Sequence, residues 1–184
     1  MGKGLVVARR SAAKIRDASN LGGDMALLVG RHLNKIDKKG RVSVPKPFRE
    51  AFLAKGFMGV FVYPYFKYPA LEGTDEAFMR RLTDSLEENL EMFSEDQDDL
   101  ASIILEYTFQ LAFDPEGRVS LPKELCEHAG LKNEALFIGR GSRFQIWSPD
   151  LYQEHRGGAF ERAKAKGATL ALTPDRFTDR DRGE

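Results

Sequence analysis

Asp37-Lys38-Lys39-Gly40-Arg41-Val42-Ser43-Val44-Pro45 is written a second time as Asp114-Pro115-Glu116-Gly117-Arg118-Val119-Ser120-Leu121-Pro122. The Asp, Gly, Arg, Val, Ser and Pro return at one constant offset of 77 residues. An internal repeat is read first because it sets the architecture. Here it specifies two copies of one small unit, each built on a tight turn followed by an arginine.

Within each copy the Asp side chain can bond the turn backbone, and Gly supplies the positive φ that closes a hairpin loop. Asp37, Gly40, Asp114 and Gly117 are therefore the turn-forming residues. Leu33-Asn34-Lys35-Ile36 enters the first turn with strand alternation, and Val42-Ser43-Val44 leaves it the same way. Alternation puts Val42 and Val44 on one face and Arg41 and Ser43 on the other, and it divides Val119 and Leu121 from Arg118 and Ser120. Each arginine is thus expected outward at the tip of a hairpin.

Pro45 and Pro122 end these strands and suit the first turn of a helix. The predicted helices run from about Lys46 to Ala54, ending near Gly56, and from Lys123 to Ala129, stopped by Gly130. Apolar strands follow at Val60–Tyr63 and Ala135–Ile138. Phe144–Trp147 reads as a last strand before a short helix opened by Ser148-Pro149-Asp150, with Tyr68-Pro69-Ala70-Leu71 in the equivalent place of the first half. Between the halves, Phe78, Leu82, Leu86, Leu90 and Phe93 fall at helical spacing. Ser94 with Gln97 reads as a capping box opening a second helix through Leu100, Ile103 and Ile104.

The expected organisation is a basic disordered head at 1–28, with Met25 as an alternative start, a first repeat at 30–76, a helical linker at 77–107, a second repeat at 108–152, and a short helix with a disordered tail at 153–184. The head, with Lys3, Arg9, Arg10, Lys14 and Arg16 among Ala, Ser and Gly, also has the look of a transit peptide.

The 184 residues are 42% hydrophobic and 30% charged, as in ordinary folded domains. No apolar run approaches the roughly 18–20 residues that span a membrane. The single cysteine, Cys126, excludes an intramolecular disulfide and a Cys-rich zinc site, which fits a reducing cytosol, and it reads as a small buried hydrophobe. Charge balances at 28 basic and 28 acidic residues, but unevenly. Arg31, Lys35, Lys38, Lys39, Arg41, Lys46 and Arg49 face only Asp37 before Glu50, whereas eleven acids between Glu72 and Asp99 face only Arg80 and Arg81. A local basic cluster is the footprint of a nucleic-acid site. The acidic helices read as a solvated face, or as a surface for a basic neighbour in an oligomer.

The twin Asp-x-x-Gly-Arg-x-Ser-(Val/Leu)-Pro motifs, each followed by a short helix, resemble those of the MraZ family, bacterial regulators with two SpoVT-AbrB-like units per chain. Gly139-Arg140-Gly141-Ser142-Arg143-Phe144-Gln145-Ile146-Trp147-Ser148 resembles the end of that family's second unit, and the likeness covers roughly Val29 to His155. The resemblance implies an α+β, β-dominated fold in which two AbrB-like repeats swap hairpins about a pseudo-twofold axis and close one β-barrel. It also implies ring-like homo-oligomers in the cytoplasm, associated with the nucleoid, that bind G-rich direct repeats in double-stranded promoter DNA and control the division and cell-wall gene cluster. The family's DNA-contacting arginine falls on Arg41 and, by the repeat, on Arg118. The long head departs from the family pattern, as does Glu116, whose charge would repel phosphates and so favours Arg41 over Arg118.

Chemically, an outward arginine can make a bidentate contact to guanine O6 and N7. Lys35, Lys38 and Lys39 would then hold phosphates and set register. The competing role for Arg41 is structural, bonding turn carbonyls or pairing with Asp37. Against an enzyme, His32, His128 and His155 lie far apart and lack metal-motif spacing, and no nucleophile elbow, P-loop or Rossmann fingerprint is present. No residue cluster calls for a metal or cofactor. A third reading is an antitoxin-like or oligomerisation module that binds a protein partner.

Overall fold

The computed structural model describes residues 27–53 and 58–170. The expectations for the head, for the helix end at Ala54 and Gly56, and for the far end of the tail fall outside the described residues. The first half runs β1 (Arg31–Lys35), β2 (Arg41–Ser43), α1 (Lys46–Leu53), β3 (Gly59–Tyr65) and β4 (Ala70–Thr74). A linker follows with α2 (Glu76–Asn89), α3 (Glu95–Ala101) and a π-helical turn at Ser102–Glu106. The second half repeats the first as β5 (Phe109–Ala112), β6 (Arg118–Ser120), α4 (Lys123–His128), β7 (Glu134–Gly139) and β8 (Phe144–Trp147). Two short helices, α5 (Pro149–Arg156) and α6 (Ala159–Ala165), come last.

The result is a mixed α+β fold with a six-stranded antiparallel sheet, ordered β1-β7-β8-β4-β3-β5, and a two-stranded sheet of β2 and β6. Strands pair across the repeats as well as within them. β1 of the first half lies on β7 of the second, β5 of the second lies on β3 of the first, and the two short hairpin strands pair with each other. The β3–β4 and β7–β8 hairpins meet at the centre, where β4 pairs with β8.

Burial explains why neither half packs alone. Val42, Val44, Phe48 and Phe52 from the first half share one core with Val119, Leu121, Leu125, Phe137 and Phe144 from the second. Phe144 stacks on Phe48 with ring centroids 5.5 Å apart. β4 passes beneath that ring at Gly73, where a Cβ would come within 2.3 Å of it. The helices after Pro45 and Pro122 therefore contribute the apolar faces that the alternating strands require.

The linker differs from the periodic reading. α2 is opened by Asp75, whose carboxylate accepts from the Phe78 N–H, and it stops at Asn89, before Leu90 and Phe93. Phe93 sits instead in the left-handed region at φ 67° with its side chain in solvent. Ser94 does cap α3 by accepting from the Gln97 N–H, but Gln97 reaches back to the Phe93 N–H, one residue earlier than in a standard capping box. The tail also departs, since Ala159–Ala165, expected to be disordered, are helical. Among the described residues, no helix is long and apolar enough to cross a membrane.

Candidate nucleic-acid interface

The two Asp-x-x-Gly turns are built alike to the atom. In the first, the Gly40 N–H donates to the Asp37 carbonyl at 3.0 Å and the Asp37 N–H to the Arg41 carbonyl at 2.9 Å. Asp37 Oδ1 accepts from the backbone N–H groups of Lys39 and Arg41. In the second, Asp114 Oδ1 accepts from Glu116 and Arg118, and the Gly117 N–H donates to the Asp114 carbonyl at 2.8 Å. Gly40 and Gly117 hold φ of 73° and 74°, the conformation that selects glycine here.

Strand exchange then brings the turns together. The Leu121 N–H donates to the Gly40 carbonyl and the Val44 N–H to the Gly117 carbonyl, two reciprocal bonds about a local twofold. In the β2–β6 ribbon Arg41 stands opposite Ser120 and Ser43 opposite Arg118, with Val42 and Val119 facing each other. The valines are buried, so the two arginines share the outer face. Lys38 and Lys39 are exposed on the first turn, and Lys35 is exposed at the end of β1 leading into it.

Each guanidinium is held by its own turn aspartate. Arg41 donates from Nε and Nη2 to Asp37 Oδ2, at 2.8 and 2.7 Å. This side-on contact leaves the Nη1/Nη2 end of the fork for a second planar acceptor. Arg118 donates from Nε to Asp114 at 2.7 Å and from Nη2 to Glu116 at 2.7 Å, so two carboxylates flank it. The backbone N–H and then the guanidinium of Arg41 hold the Asp37 carboxyl down at about 2. Asp114 is likewise lowered, chiefly by the Arg118 N–H, while the bond from Asp114 raises Arg118. Both aspartates are therefore ionised at neutral pH.

Comparison with known proteins decides the family. The chain is 46% identical over 124 residues to the transcriptional regulator MraZ of Parvibaculum lavamentivorans, covering 67% of this chain and 76% of the relative. Over 144 residues it is 39% identical to the transcriptional regulator MraZ of Pelagibacter ubique, 78% and 92% of the two chains. That of Rickettsia canadensis is 36% identical over 146 residues, 79% and 97%. The chain belongs to the MraZ family. A family model described as "MraZ protein, putative antitoxin-like" matches residues 104–167, the second half with α5 and α6. These MraZ relatives are named as regulators of transcription, not as enzymes.

Within this MraZ chain the two turns differ in charge. The first carries one acid against three bases and the second two acids against one base. The periodic reading overlooked Arg49, whose Nη1 donates to the carbonyls of Glu116 and Gly117 at 3.2 and 3.1 Å and braces the second turn from α1. The repeat offset places Cys126 at the equivalent position, so the first turn has no such brace from α4. That broken correspondence was the available signal. Cys126 is half-buried, and burial raises its thiol. Among the described residues, no group of His, Cys, Asp or Glu is arranged to hold a metal ion.

Proposed function

We propose that this chain is a sequence-specific, DNA-binding transcriptional regulator that reads G-rich direct repeats upstream of the division and cell-wall genes. The observation that carries the reading is the β2–β6 ribbon, which sets Arg41 and Arg118 on one outward face beside Lys35, Lys38 and Lys39. The major groove of B-DNA admits a two-stranded ribbon, and the fork end of Arg41 suits guanine O6 and N7. Asp37 holds the side chain in one rotamer, so little side-chain freedom remains to be lost on contact. The lysines take phosphates. Arg41 is the principal reader, because Glu116 offsets Arg118 and would repel the backbone. The names of the relatives support the regulatory role.

The reading includes a ring-like homo-oligomer acting in the cytoplasm at the nucleoid. If one chain neutralises about three phosphates, the log–log salt slope is only about −2.7, the mark of a weak binder. Several ribbons on one assembly make later contacts intramolecular, a gain of roughly 10²–10⁴. The exchange of β1, β5 and the ribbon strands between halves supports the fuller fold expectation of a swapped-hairpin barrel, with repeat boundaries near 30–76 and 108–152 flanking the helical linker.

A second reading is a protein-partner module of antitoxin type, favoured by the engagement of both guanidiniums with carboxylates of their own turns. Fluorescence anisotropy on DNA from upstream of the chain's own gene, at several salt concentrations, separates the two. For DNA reading, Arg41→Ala is expected to lose the preference for this DNA over unrelated sequence, by roughly 5–150-fold, and Arg118→Ala to lose less. Indifference of both variants would leave the partner-binding module in front.

A further inference from the structure

Strand exchange sets part of the second half against the first turn. The Ile36 N–H donates to the Asn133 carbonyl at 2.8 Å, and the ladder beside it places Lys35 opposite Glu134. The loop joining α4 to β7 therefore flanks the turn that carries Arg41, and its residues Lys132, Asn133 and Glu134 are exposed. Ile36 also bridges Val42, the neighbour of Arg41. Two interstrand spacings of about 4.8 Å thus lead from Val42 through Ile36 to Asn133, roughly 10 Å in all. The major groove is about 12 Å wide, so a side chain reading it from the turn has a phosphate backbone at about the distance of this loop.

A cavity of about 420 Å³ opens there, walled by Lys132, Asn133, Glu134, Ser148, Asp150 and Leu151. It lies at the start of α5, which packs through Leu151 and Tyr152 on the sheet face that carries Leu136. The period of two puts Glu134 and its partner Lys35 on that same face. The first bond of α5 runs from the Tyr152 N–H to the Ser148 carbonyl at 2.9 Å, so the N–H groups of Asp150 and Leu151 have no partner within the helix. Ser148 is only 8% exposed, yet its hydroxyl makes no cap bond and has no hydrogen-bond partner among the described residues. A buried hydroxyl left unpaired is exceptional. Here it stands in the cavity wall beside two free amides, a set of donors suited to a phosphate oxygen.

We propose that this cavity holds a phosphate of the DNA backbone beside the groove that Arg41 reads. Lys132 supplies the charge, the Ser148 hydroxyl and the Asp150 and Leu151 amides supply the hydrogen bonds, and Lys35 approaches on the same face. The site rests on the DNA reading proposed above and extends the contact from the first hairpin to the opposite half. Glu134 and Asp150 balance the two lysines, so the cavity attracts a free anion weakly. It suits a phosphate delivered by a duplex already held at the ribbon, where the contact is intramolecular. The matching bond at the second turn runs from the Phe113 N–H to the Met58 carbonyl at 2.9 Å, and there the exposed Met58 takes the place of Asn133.

Anisotropy of the full chain on the upstream duplex and on unrelated DNA, across a salt series, tests the site, with circular dichroism as the folding control. Lys132→Ala is expected to weaken both DNAs alike and to make the log–log salt slope shallower by about 0.9. The loss is then roughly 3.5 times larger at 50 mM salt than at 200 mM. Ser148→Ala is expected to weaken binding roughly tenfold with the slope unchanged, and Asp150→Asn to tighten it. Unchanged affinity and slope in Lys132→Ala and Ser148→Ala, with the preference still lost in Arg41→Ala, would overturn the site and leave the DNA reading standing. Indifference of Arg41→Ala as well would remove that reading and the site with it. A Lys132→Ala that lost the upstream preference alone would make this lysine a reader of bases and refute the phosphate assignment. Inorganic phosphate, followed through the Asp150 and Leu151 amide resonances, is expected to give no saturation at millimolar concentration, and tight saturable binding would reassign the cavity to a free anion. Should Ser148→Ala fail to fold, Lys132→Ala on its exposed loop carries the test, and an unchanged salt slope refutes the proposal.

Discussion

At the residue scale, the two turns differ at two positions, Pro115 for Lys38 and Glu116 for Lys39, and the second of these reverses a charge. Where the first places Lys39, the second places Glu116, and that carboxylate closes on Arg118. Glu116→Lys should therefore tighten DNA binding and steepen the log–log salt slope by about 0.9, one further phosphate contact, read by anisotropy across a salt series. The aspartate that holds Arg41 sets a pH limit. Its folded pKa of about 2 lies below the ordinary 3.8, so its contribution to stability is fully present above about 3.8 and lost as pH falls through about 2. Titration of the Asp37 carboxyl carbon by NMR should show its midpoint near 2, and Arg41→Ala should move the midpoint upward toward 3.8.

At the element scale, β4 is the strand whose burial the composition hides. All five of its residues are buried, Glu72 among them. Glu72 accepts from the Tyr63 hydroxyl at 2.8 Å, Gln145 Nε2 at 3.0 Å and Arg143 Nε at 3.1 Å, while Gln145 Oε1 accepts from the Trp147 indole N–H. Burial, and then the charge of Glu72, raise the Tyr63 hydroxyl, which therefore remains a donor. Glu72→Ala leaves those donors unpaired between β3, β4 and β8 and should cost about 2–4 kcal/mol in urea unfolding. The sequence reading counted Glu72 only as the first member of the acidic middle of the chain, because an acid followed by more acids looks solvated. Its neighbours in space come from residues 63, 143 and 145, beyond any local pattern. The linker helices were legible as helices, but the end of α2 was not. Leu90 and Phe93 continue the helical spacing, and spacing alone does not register that Phe93 takes a positive φ.

At the scale of the whole molecule, strand exchange makes the two halves one folding unit. β1 has its partner in β7 and β5 has its partner in β3, so neither repeat completes its sheet alone. A fragment of residues 27–101 is expected to give a coil-like circular dichroism spectrum, and mixing it with residues 102–170 should restore strand signal. The intact chain should unfold in one transition. A fragment that folds alone would show that the exchange contributes little. The uneven charge also acts at this scale, with a basic ribbon at one end of the sheet and the acidic linker between the halves, so a chain of zero net charge still presents surfaces of both signs.

The chain's order of residues by itself determined the repeat, the two turns, the outward set of Arg41 and Arg118, and the helices after Pro45 and Pro122. Each of these depends on groups within a few residues of one another: a glycine φ, a carboxylate and the amide two positions on, an alternation of period two. Tertiary structure alone decided which strands pair across the repeat, that Glu72 and Asp75 are buried while Glu76 is exposed, and that Arg49 braces the opposite turn. These are outcomes of which surfaces close over a shared core, a choice made between residues dozens of positions apart.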